Sequence, residues 1–261
     1  MNRLSVIIIT CNEEENIKHC LESVKWSDEI IIVDSFSSDK TVEIAREYTS
    51  KVFQNKWTDF SQQKNLALEK ASSEWVLNID ADERVTPELK KEILAVLNSE
   101  FQTFDGYYIP LRNNYLGRWI RHCGWYPDYH LRLFRRIKGR FNERIVHESV
   151  VVESRKGHLK SCLNHYSYKD LSDHLNKIDK FTSLAAEEMF TNGKRARVFD
   201  LLLRPLVKFI KMYLIKRGYL DGIYGLIVSI MGSFSVFAKY LKLWELSRGK
   251  SIENSRYTST S

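Results

Sequence analysis

Strands and helices alternate through the first hundred residues of this 261-residue chain, and this alternation restricts the fold more than any other feature. The runs Val6–Ile9, Ile30–Val33 and Trp75–Ile79 are short and apolar, as buried strands are. Between them, apolar residues recur at helical spacing, and Thr86 before Pro87 marks the start of a further helix. We therefore predict an α/β fold with a mostly parallel sheet flanked by helices.

The pattern changes after Ser99. Segments with the character of strands are now separated by glycines and no longer alternate with helices, and from Asp170 the chain is helical in character. These segments are Tyr107–Pro110, Leu131–Arg135, Ile145–Val152 and His158–Leu163. We predict one α/β domain over residues 1–170, in which 101–170 extend the sheet of 1–100 with antiparallel strands. Residues 171–250 form a helical extension, and the Ser/Thr-rich residues 251–261 form a disordered tail.

Polar residues follow the predicted strands where each strand ends. Thr10, Asn12 and Glu13 follow the first, Asp34 ends the second, and Asp80 ends the strand that begins at Trp75. Ligands of open α/β sheets bind outside the carboxyl ends of the strands, so we place the functional site there. The dinucleotide fingerprint G-x-G-x-x-G does not follow the first strand, which argues against a dehydrogenase.

Three acids lie within four positions at the end of the strand that begins at Trp75: Asp80, Asp82 and Glu83. Along an extended chain Asp80 and Asp82 lie on the same side. Two such carboxylates repel each other unless a cation lies between them, and Mg²⁺ is held by one or two carboxylates plus substrate phosphates. The pattern therefore indicates a site for a divalent metal and a diphosphate. A solvated turn is the alternative, because D-x-D by itself is a common sequence.

Composition limits the partners and the compartment. The net charge is +7 and the pI is about 9.1, which favours acidic partners such as nucleotide phosphates, nucleic acid or an anionic membrane. The basic excess is concentrated in residues 194–217, where Asp200 is the one acid. The four cysteines show no C-x-x-C spacing, which predicts a reducing compartment, and no signal peptide is expected from the residues at the start.

The last third of the chain combines apolar and basic residues. In Leu201–Ile210, apolar residues are interrupted by basic ones. The segment Ile223–Ala238 carries no charge, but a membrane span needs about 20 apolar residues and this segment is shorter. We predict helices that lie on an anionic membrane surface, with Lys and Arg at the level of the headgroups. A helical hairpin packed on the rest of the protein or on a second subunit is the alternative.

Four motifs in order resemble family 2 glycosyltransferases of the GT-A fold: V-I-I-I-T-x-N-E-E-x-N-I, I-V-D-S-x-S-x-D-x-T, Q-K-N and D-A-D-E. The match covers about residues 4–100. More loosely, R-L-F-R-R, G-R-F and V-H-E in the second half resemble the branch with the lipopolysaccharide core β-1,4-glucosyltransferases. The resemblance implies a GT-A sheet, a nucleotide-sugar donor and a divalent metal, Mg²⁺ or Mn²⁺.

The resemblance also implies roles for individual residues. The residues implied to bind the nucleotide-sugar are Thr10, Asn12, Glu13, Asp34, Ser37, Lys64 and Asp80, with Asp39 beside them. Asp82 is implied as the direct metal ligand. Asn12 and Asp39 are alternatively helix caps, with Asn12 capping the helix that follows the first strand, and Lys64 is alternatively a solvated helix residue.

The catalytic base is less clearly marked, because the Glu-Asp pair of many relatives is absent from the second half of the chain. We favour Glu148 as the base, with His147 as a metal or diphosphate contact, since both follow G-R-F at the comparable place. Asp128 is the competing candidate, and its alternative role is that of a turn residue after Pro127. Arg132, on a strand pattern, is a candidate for clamping phosphates.

These expectations define a function. The chain is expected to be an inverting, metal-dependent hexosyltransferase that moves glucose from UDP-glucose to a lipopolysaccharide-core or other glycolipid or polysaccharide acceptor. It is expected to be a cytoplasmic protein, peripheral on the inner face of the cytoplasmic membrane. Alternatives are a protein that binds a nucleotide-sugar without transferring it, and a nucleic-acid-binding protein, although no nucleic-acid motif is present.

Overall fold

The computed structural model describes residues 3–101, 103–142 and 149–248. They form two compact units. The first unit comprises the residues up to 114 together with 127–167, and the second comprises 115–126 together with the residues from 168 onward. The sequence pattern did not indicate that segment 115–126 groups with the C-terminal helices.

Most strands of the structure are short. They are β1 (Leu4–Thr10), β2 (Glu29–Asp34), β3 (Val52–Gln54), β4 (Trp75–Asp80), β5 (Glu83–Val85), β6 (Gly106–Tyr115), β7 (Arg118–Trp119), β8 (Asp128–Arg135), β9 (Gly139–Phe141), β10 (Val150–Val152), β11 (Lys156–His158) and β12 (Leu163–Tyr168). The helices are α1 (Ile17–Val24), α2 (Thr41–Arg46), α3 (Phe60–Lys70), α4 (Pro87–Asn98), α5 (Leu171–Thr191), α6 (Val198–Ile210) and α7 (Gly222–Ser247).

The sheet of the first unit is parallel in one half and largely antiparallel in the other. Its order is β3-β2-β1-β4-β8-β6-β12-β5, with β11 also paired to β6. Strands β3, β2, β1 and β4 run parallel, whereas β8 runs antiparallel to both of its neighbours, β4 and β6. The predicted α/β fold is confirmed, and so is the predicted antiparallel extension by the later residues.

Helices cover both faces of the parallel half, which explains the continuous apolar runs of its strands. Val6 and Ile8 of β1 belong to a buried cluster that includes residues of α1 and α4. Ile7 and Ile9 point to the other side and belong to a cluster that includes Ala67 of α3. Because side chains alternate along a strand, a strand buried on both faces requires apolar residues at every position.

Two local predictions about helix starts have different outcomes. Thr86 and Pro87 do open α4, and the Thr86 hydroxyl accepts a hydrogen bond from Leu89 N at 3.2 Å. The prediction that Asn12 caps the following helix is wrong, since α1 begins at Ile17 after Asn16. Asn12 adopts a left-handed conformation with φ of 55°, which turns the chain between β1 and α1.

The predicted strand His158–Leu163 is wrong in its bounds. Strand β11 ends at His158 and β12 begins at Leu163, so the intervening residues connect two strands. The Glu92 carboxylate accepts hydrogen bonds from the backbone N–H groups of Lys160 and Ser161. Because a side chain satisfies these two N–H groups, they do not pair with a neighbouring strand.

The second unit is built from helices. α5 ends before Asn192 and Gly193, and α7 packs against both α5 and α6. An aromatic group with edge-to-face contacts lies in its core, formed by Tyr115, Trp125, Tyr168 and His174. The tail at 251–261 lies outside the described residues.

His174 makes the stability of the second unit dependent on pH. Its Nδ1 shares a hydrogen bond of 2.9 Å with the Tyr115 hydroxyl, and its ring lies against Tyr168. Burial lowers the pKa of His174 from 6.5 to about 4. Between these values the unfolded chain binds a proton that the folded chain does not bind, so stability falls as the pH is lowered through this window.

We expect the free energy of unfolding of the wild type to fall by about 2 kcal/mol more than that of His174→Gln between about pH 7.5 and about pH 4.5. Urea denaturation of both proteins at the two pH values measures this difference. The variant keeps all other titrating groups, so comparing it with the wild type isolates the contribution of His174. An equal loss in both proteins would mean that His174 is not held neutral in the folded state.

Candidate active site

The carboxyl ends of β1 and β2 present a network of polar side chains. Thr10 lies opposite Asp34 in the strand register, and the Asp34 side chain is fully buried. The Asp34 carboxylate accepts hydrogen bonds from Ser37 N at 2.9 Å and from the Ser37 hydroxyl. Asn12 N donates to the same hydroxyl at 2.8 Å, and the Asn12 side chain accepts from Ser38 N at 2.8 Å. The two loops after β1 and β2 are thereby joined.

The loop after β1 is also tied to the start of α2. Glu13 N donates to the Thr41 hydroxyl at 2.8 Å, and Asp39 accepts from Thr41 N at 2.9 Å. The N-cap position of α2 is Lys40, without a side-chain capping bond, so Asp39 binds the first N–H of the helix from one position further out. The Glu13 carboxylate accepts from the Asn16 side-chain amide at 2.8 Å. Glu13 and Asp39 therefore shape the loops beside Asp34.

Thr10 contributes an unsatisfied group to this edge. Its side-chain oxygen is buried and has no hydrogen-bond partner among the described residues. Buried hydroxyls in folded proteins are nearly always satisfied, and an exception needs an explanation such as a ligand or water. The orphaned hydroxyl at the end of β1, beside Asp34, fits a position that a bound molecule completes.

Asp80 lies at the centre of a second cluster, at the end of β4. Its carboxylate contacts Lys64 Nζ of α3 at 3.1 Å and Arg132 of β8 at 3.1 Å. Arg132 also contacts the fully buried Glu83 at 2.5 Å, and Glu83 in turn accepts from Asp80 N at 2.8 Å. The Lys64 side chain is 4% exposed, which excludes a solvated role for it.

The charges of this cluster act on both carboxyl groups. Burial alone would raise the pKa of Asp80, but Lys64 and Arg132 outweigh it and hold the pKa well below its ordinary value. Burial raises the pKa of Glu83 to about 6, against the opposing charge of Arg132 and with the support of Asp80. Both groups are ionised at neutral pH, so the cluster pairs two cations with two anions.

Asp82 has a partner that the sequence analysis did not identify. His165 of β12 lies opposite Glu83 in the strand register, and its Nε2 is 3.3 Å from an Asp82 carboxylate oxygen. The other ring nitrogen, Nδ1, lies 2.7 Å from the side-chain oxygen of Asn113 on β6. Since that oxygen only accepts, Nδ1 carries the proton and Nε2 is directed at Asp82.

Asp128 lies at the exposed start of β8. His130 follows it by two residues, so these two side chains leave the same face of the strand. His130 Nε2 lies 3.0 Å from the Asp128 carboxylate. The hydrogen bond from His130 lowers the pKa of Asp128, and the charges of Arg132 and His165 contribute to the same shift.

Comparison with known proteins identifies the chain. The family model for glycosyl transferase family 2 matches residues 5–152. The chain belongs to glycosyltransferase family 2. The sheet described above is the GT-A arrangement predicted from the motifs.

Full-length relatives agree with the family. The glycosyltransferase is 31% identical over 254 residues to the lipopolysaccharide core biosynthesis glycosyltransferase LpsC of Rhizobium meliloti, with 93% of this chain and 92% of the relative covered. It is 33% identical over 258 residues to an uncharacterized glycosyltransferase of Rickettsia typhi, with coverages of 95% and 88%. Among solved structures, S. aureus TarS 1–349 in complex with UDP-GlcNAc matches with a TM-score of 0.49, 16% identity and coverages of 95% and 92%.

The donor groups at Asp82 fit a divalent metal. Two adjacent ligands of an octahedral ion with bonds of about 2.1 Å lie roughly 3 Å apart, and Asp82 and His165 are separated by 3.3 Å. The bond from His165 Nδ1 to Asn113 orients the ring as the partners of metal-bound histidines do. No group of three or more His, Cys, Asp or Glu that could hold a metal occurs among the described residues, so further ligands would come from substrate or water.

The charge of His165 reflects its position beside the acids of this glycosyltransferase. Burial would lower the pKa of His165, but Asp82, followed by Glu83 and Asp80, outweighs it and raises the pKa to about 9. His165 is therefore protonated and paired with Asp82 when no cation competes for the carboxylate. The sequence signal for it was the alternation of Leu163–Tyr168, which the misplaced strand His158–Leu163 obscured.

The remaining predicted site residues divide into two groups. Arg132 joins the acidic cluster, where its guanidinium is held by Asp80 and Glu83. Glu148 and His147, predicted as base and as metal contact, lie outside the described residues.

Proposed function

We propose that this family 2 glycosyltransferase is an inverting, metal-dependent enzyme that transfers a hexose, glucose from UDP-glucose, to a lipopolysaccharide-core or other glycolipid or polysaccharide acceptor. The observation that carries the proposal is the pair Asp82–His165 beside the cluster Lys64–Asp80–Arg132. Both lie near the carboxyl end of β4, next to the end of β1 with its orphaned Thr10 hydroxyl.

The balance of charge supports the need for a metal. Lys64, Arg132 and His165 supply three positive charges, and Asp80, Asp82 and Glu83 supply three negative ones. The site therefore carries no net positive charge with which to bind a diphosphate. Because a metal-bound His165 must be neutral, a divalent cation held by Asp82 and His165 would replace one positive charge with two. The site would then carry one net positive charge, which would stabilise the departing nucleoside diphosphate.

The residues around the β1 and β2 ends suit the nucleoside part of the donor. Asp34 offers carboxylate oxygens that accept hydrogen bonds from a base or ribose, and Thr10 offers a hydroxyl that lacks a partner. Asn12, Glu13 and Ser37 hold the loops that border this position. Lys64 fixes the orientation of Asp80.

The acceptor hydroxyl must lose its proton as it attacks. We assign this role to Asp128, because it is ionised, exposed at the start of β8, and close enough to Arg132 and His165 for their charges to lower its pKa. The hydrogen bond from His130 orients the Asp128 carboxylate. Attack by a hydroxyl opposite the leaving group in a single displacement inverts the anomeric configuration.

The acceptor class is inferred from relatives. LpsC of Rhizobium meliloti is described as acting in lipopolysaccharide core biosynthesis, and it matches this chain over 93% of its length. A saccharide of that core is therefore the first acceptor to test. We propose that the nucleotide-sugar donor is cytoplasmic. The enzyme would then act on the inner face of the cytoplasmic membrane.

Calorimetric titration with UDP tests the donor site. We expect Mn²⁺ to strengthen UDP binding to the wild type by at least about tenfold, and we expect Asp82→Ala to lose this gain. Glu47→Ala is the matched control, because it also removes one carboxylate but from an exposed position at the end of α2. Metal-independent UDP binding that survives in Asp82→Ala would remove the metal from the proposal. Binding with no turnover on any saccharide acceptor would favour a nucleotide-sugar-binding protein without transferase activity.

A further inference from the structure

Helix α6 turns its apolar side outward. Seven of its thirteen residues are large, apolar and exposed to solvent, with Phe199 exposed by 72%. These residues are Val198, Phe199, Leu202, Leu203, Leu206, Val207 and Ile210. They recur at intervals of three and four, so they form one continuous face. A helix of a soluble protein normally directs such a face at the core.

The inward side of α6 is already used. Pro205 is buried, and its carbonyl oxygen accepts a hydrogen bond from the Ser233 hydroxyl of α7 at 2.8 Å. Helix α6 is thus fixed on α7 by its narrow side, and its wide apolar face has no covering element among the described residues of this unit. The exposed apolar character continues past the helix at Leu214, Ile215, Tyr219, Leu220 and Ile223.

Basic residues border this face. Arg204, Lys208 and Lys211 are exposed and recur at intervals of four and three, along one flank of the helix. Further exposed bases lie before and after it, namely Lys194, Arg195, Arg197, Lys216 and Arg217. The one acid in this stretch, Asp200, is paired with Arg204 at 2.5 Å. The surface therefore combines a wide apolar strip with an excess of positive charge.

Helix α7 is a different case, although Gly218–Ser247 is long and apolar enough to cross a membrane by length and composition. It packs along α5, and Lys242 Nζ contacts Asp179 and the hydroxyls of Thr182 and Ser183 on that helix. α5 carries exposed charged residues along its length, which lipid would not accommodate. Helix α7 is the scaffold on which α6 is held.

We propose that α6 and the turn after it, residues 198–220, lie in the plane of an anionic phospholipid bilayer. The apolar face enters the boundary between headgroups and acyl chains, and the bases contact lipid phosphates, as in-plane amphipathic helices do. A second copy of the chain fits less well. A two-fold interface would bring the same basic flank of both copies together, and like charges at an interface repel. This proposal does not depend on the donor or acceptor of the enzyme.

Cosedimentation of the full chain with lipid vesicles tests the proposal. We expect the wild type to bind vesicles containing phosphatidylglycerol and to bind phosphatidylcholine vesicles at least about tenfold more weakly, with added salt weakening the first interaction. The double variant Leu202→Ser with Leu206→Ser is expected to bind anionic vesicles at least roughly tenfold more weakly than the wild type. Lys208→Gln with Lys211→Gln is expected to lose the preference for anionic lipid.

Matched controls separate this surface from general effects. Ile137→Ser removes an apolar residue that is 79% exposed in the first unit, and Lys91→Gln removes an exposed base there. Both are expected to bind vesicles like the wild type. UDP titration of every variant shows whether its donor site is intact, so a failed donor assignment cannot be mistaken for failed docking.

Three results would overturn the proposal. One is a wild-type protein that does not bind anionic vesicles. Another is binding that is equal for both lipids and unaffected by salt. The third is a wild-type dimer in light scattering that becomes monomeric in the Leu202, Leu206 variant, which would make this face a subunit interface.

Discussion

Replacing Asp128 with asparagine is expected to lower kcat by about a hundred- to ten-thousand-fold, the range that general base catalysis commonly contributes. Asparagine keeps the size of the side chain and can still accept from His130, so the start of β8 should be undisturbed. UDP binding is expected to be unchanged, because Asp128 is not among the groups assigned to the donor. Initial rates with a saccharide acceptor, together with calorimetric titration of UDP, measure the two quantities.

Glu148→Gln is the decisive companion to this variant. The sequence analysis favoured Glu148 as base, and that residue lies outside the described part of the structure. If Asp128 is the base, Glu148→Gln keeps turnover within a few-fold of the wild type while Asp128→Asn loses it. The reverse pattern, with Asp128→Asn active and Glu148→Gln inactive but still binding UDP, would assign the proton transfer to Glu148. Loss of turnover in both would show that the two carboxylates act together.

Arg132→Met is expected to be strongly destabilising, by about 3–5 kcal/mol, because it leaves buried carboxylates without their cation. Glu83 is fully buried and depends on Arg132, while Asp80 would keep Lys64. Urea denaturation monitored by tryptophan fluorescence gives the change in the free energy of unfolding. Methionine retains most of the apolar volume of the arginine stem, so the loss reports the missing charge.

Two further variants test the origin of this loss. Arg135→Met on the same strand removes a cation whose partners, Glu74 and Asp105, are partly exposed, and it is expected to cost about 1 kcal/mol or less. Adding Glu83→Gln to Arg132→Met neutralises the stranded carboxylate and is expected to recover part of the stability. A similar loss for Arg132→Met and Arg135→Met, with no recovery in the double variant, would mean that burial of Glu83 does not control stability here.

Much of the donor side of the site could be predicted from sequence, and the reason is local. Asp34 and Asp80 each end a strongly apolar strand, so the pattern of burial marked both the strand and its polar end. The carboxyl ends of parallel strands that alternate with helices lie at the same edge of the sheet. This rule places Thr10, Asp34 and Asp80 together at that edge. The motifs after β1 and β2 then added the residues of the two joined loops.

The later half of the sheet was harder to predict, because its strands pair out of sequence order. His165 lies beside Asp82 only because β5 and β12 pair antiparallel at the far edge of the sheet. Along the chain, helix α4 and strands β6 to β11 lie between β5 and β12. Hydrophobic periodicity carries no information about which distant strands pair, and the misplaced strand before β12 hid the alternation that contains His165.

The sequence by itself determined the α/β class, the polar ends of the first strands and the combination of apolar and basic residues in Leu201–Ile210. These properties follow from spacing along one segment, where burial of each residue repeats with the period of its helix or strand. Only the tertiary structure decided that His165 partners Asp82, that Lys64 and Arg132 are buried against Asp80, and that α6 turns its apolar face outward. Each of these depends on contacts between segments far apart in the chain. The amphipathic pattern of a helix does not show which of its sides another element covers.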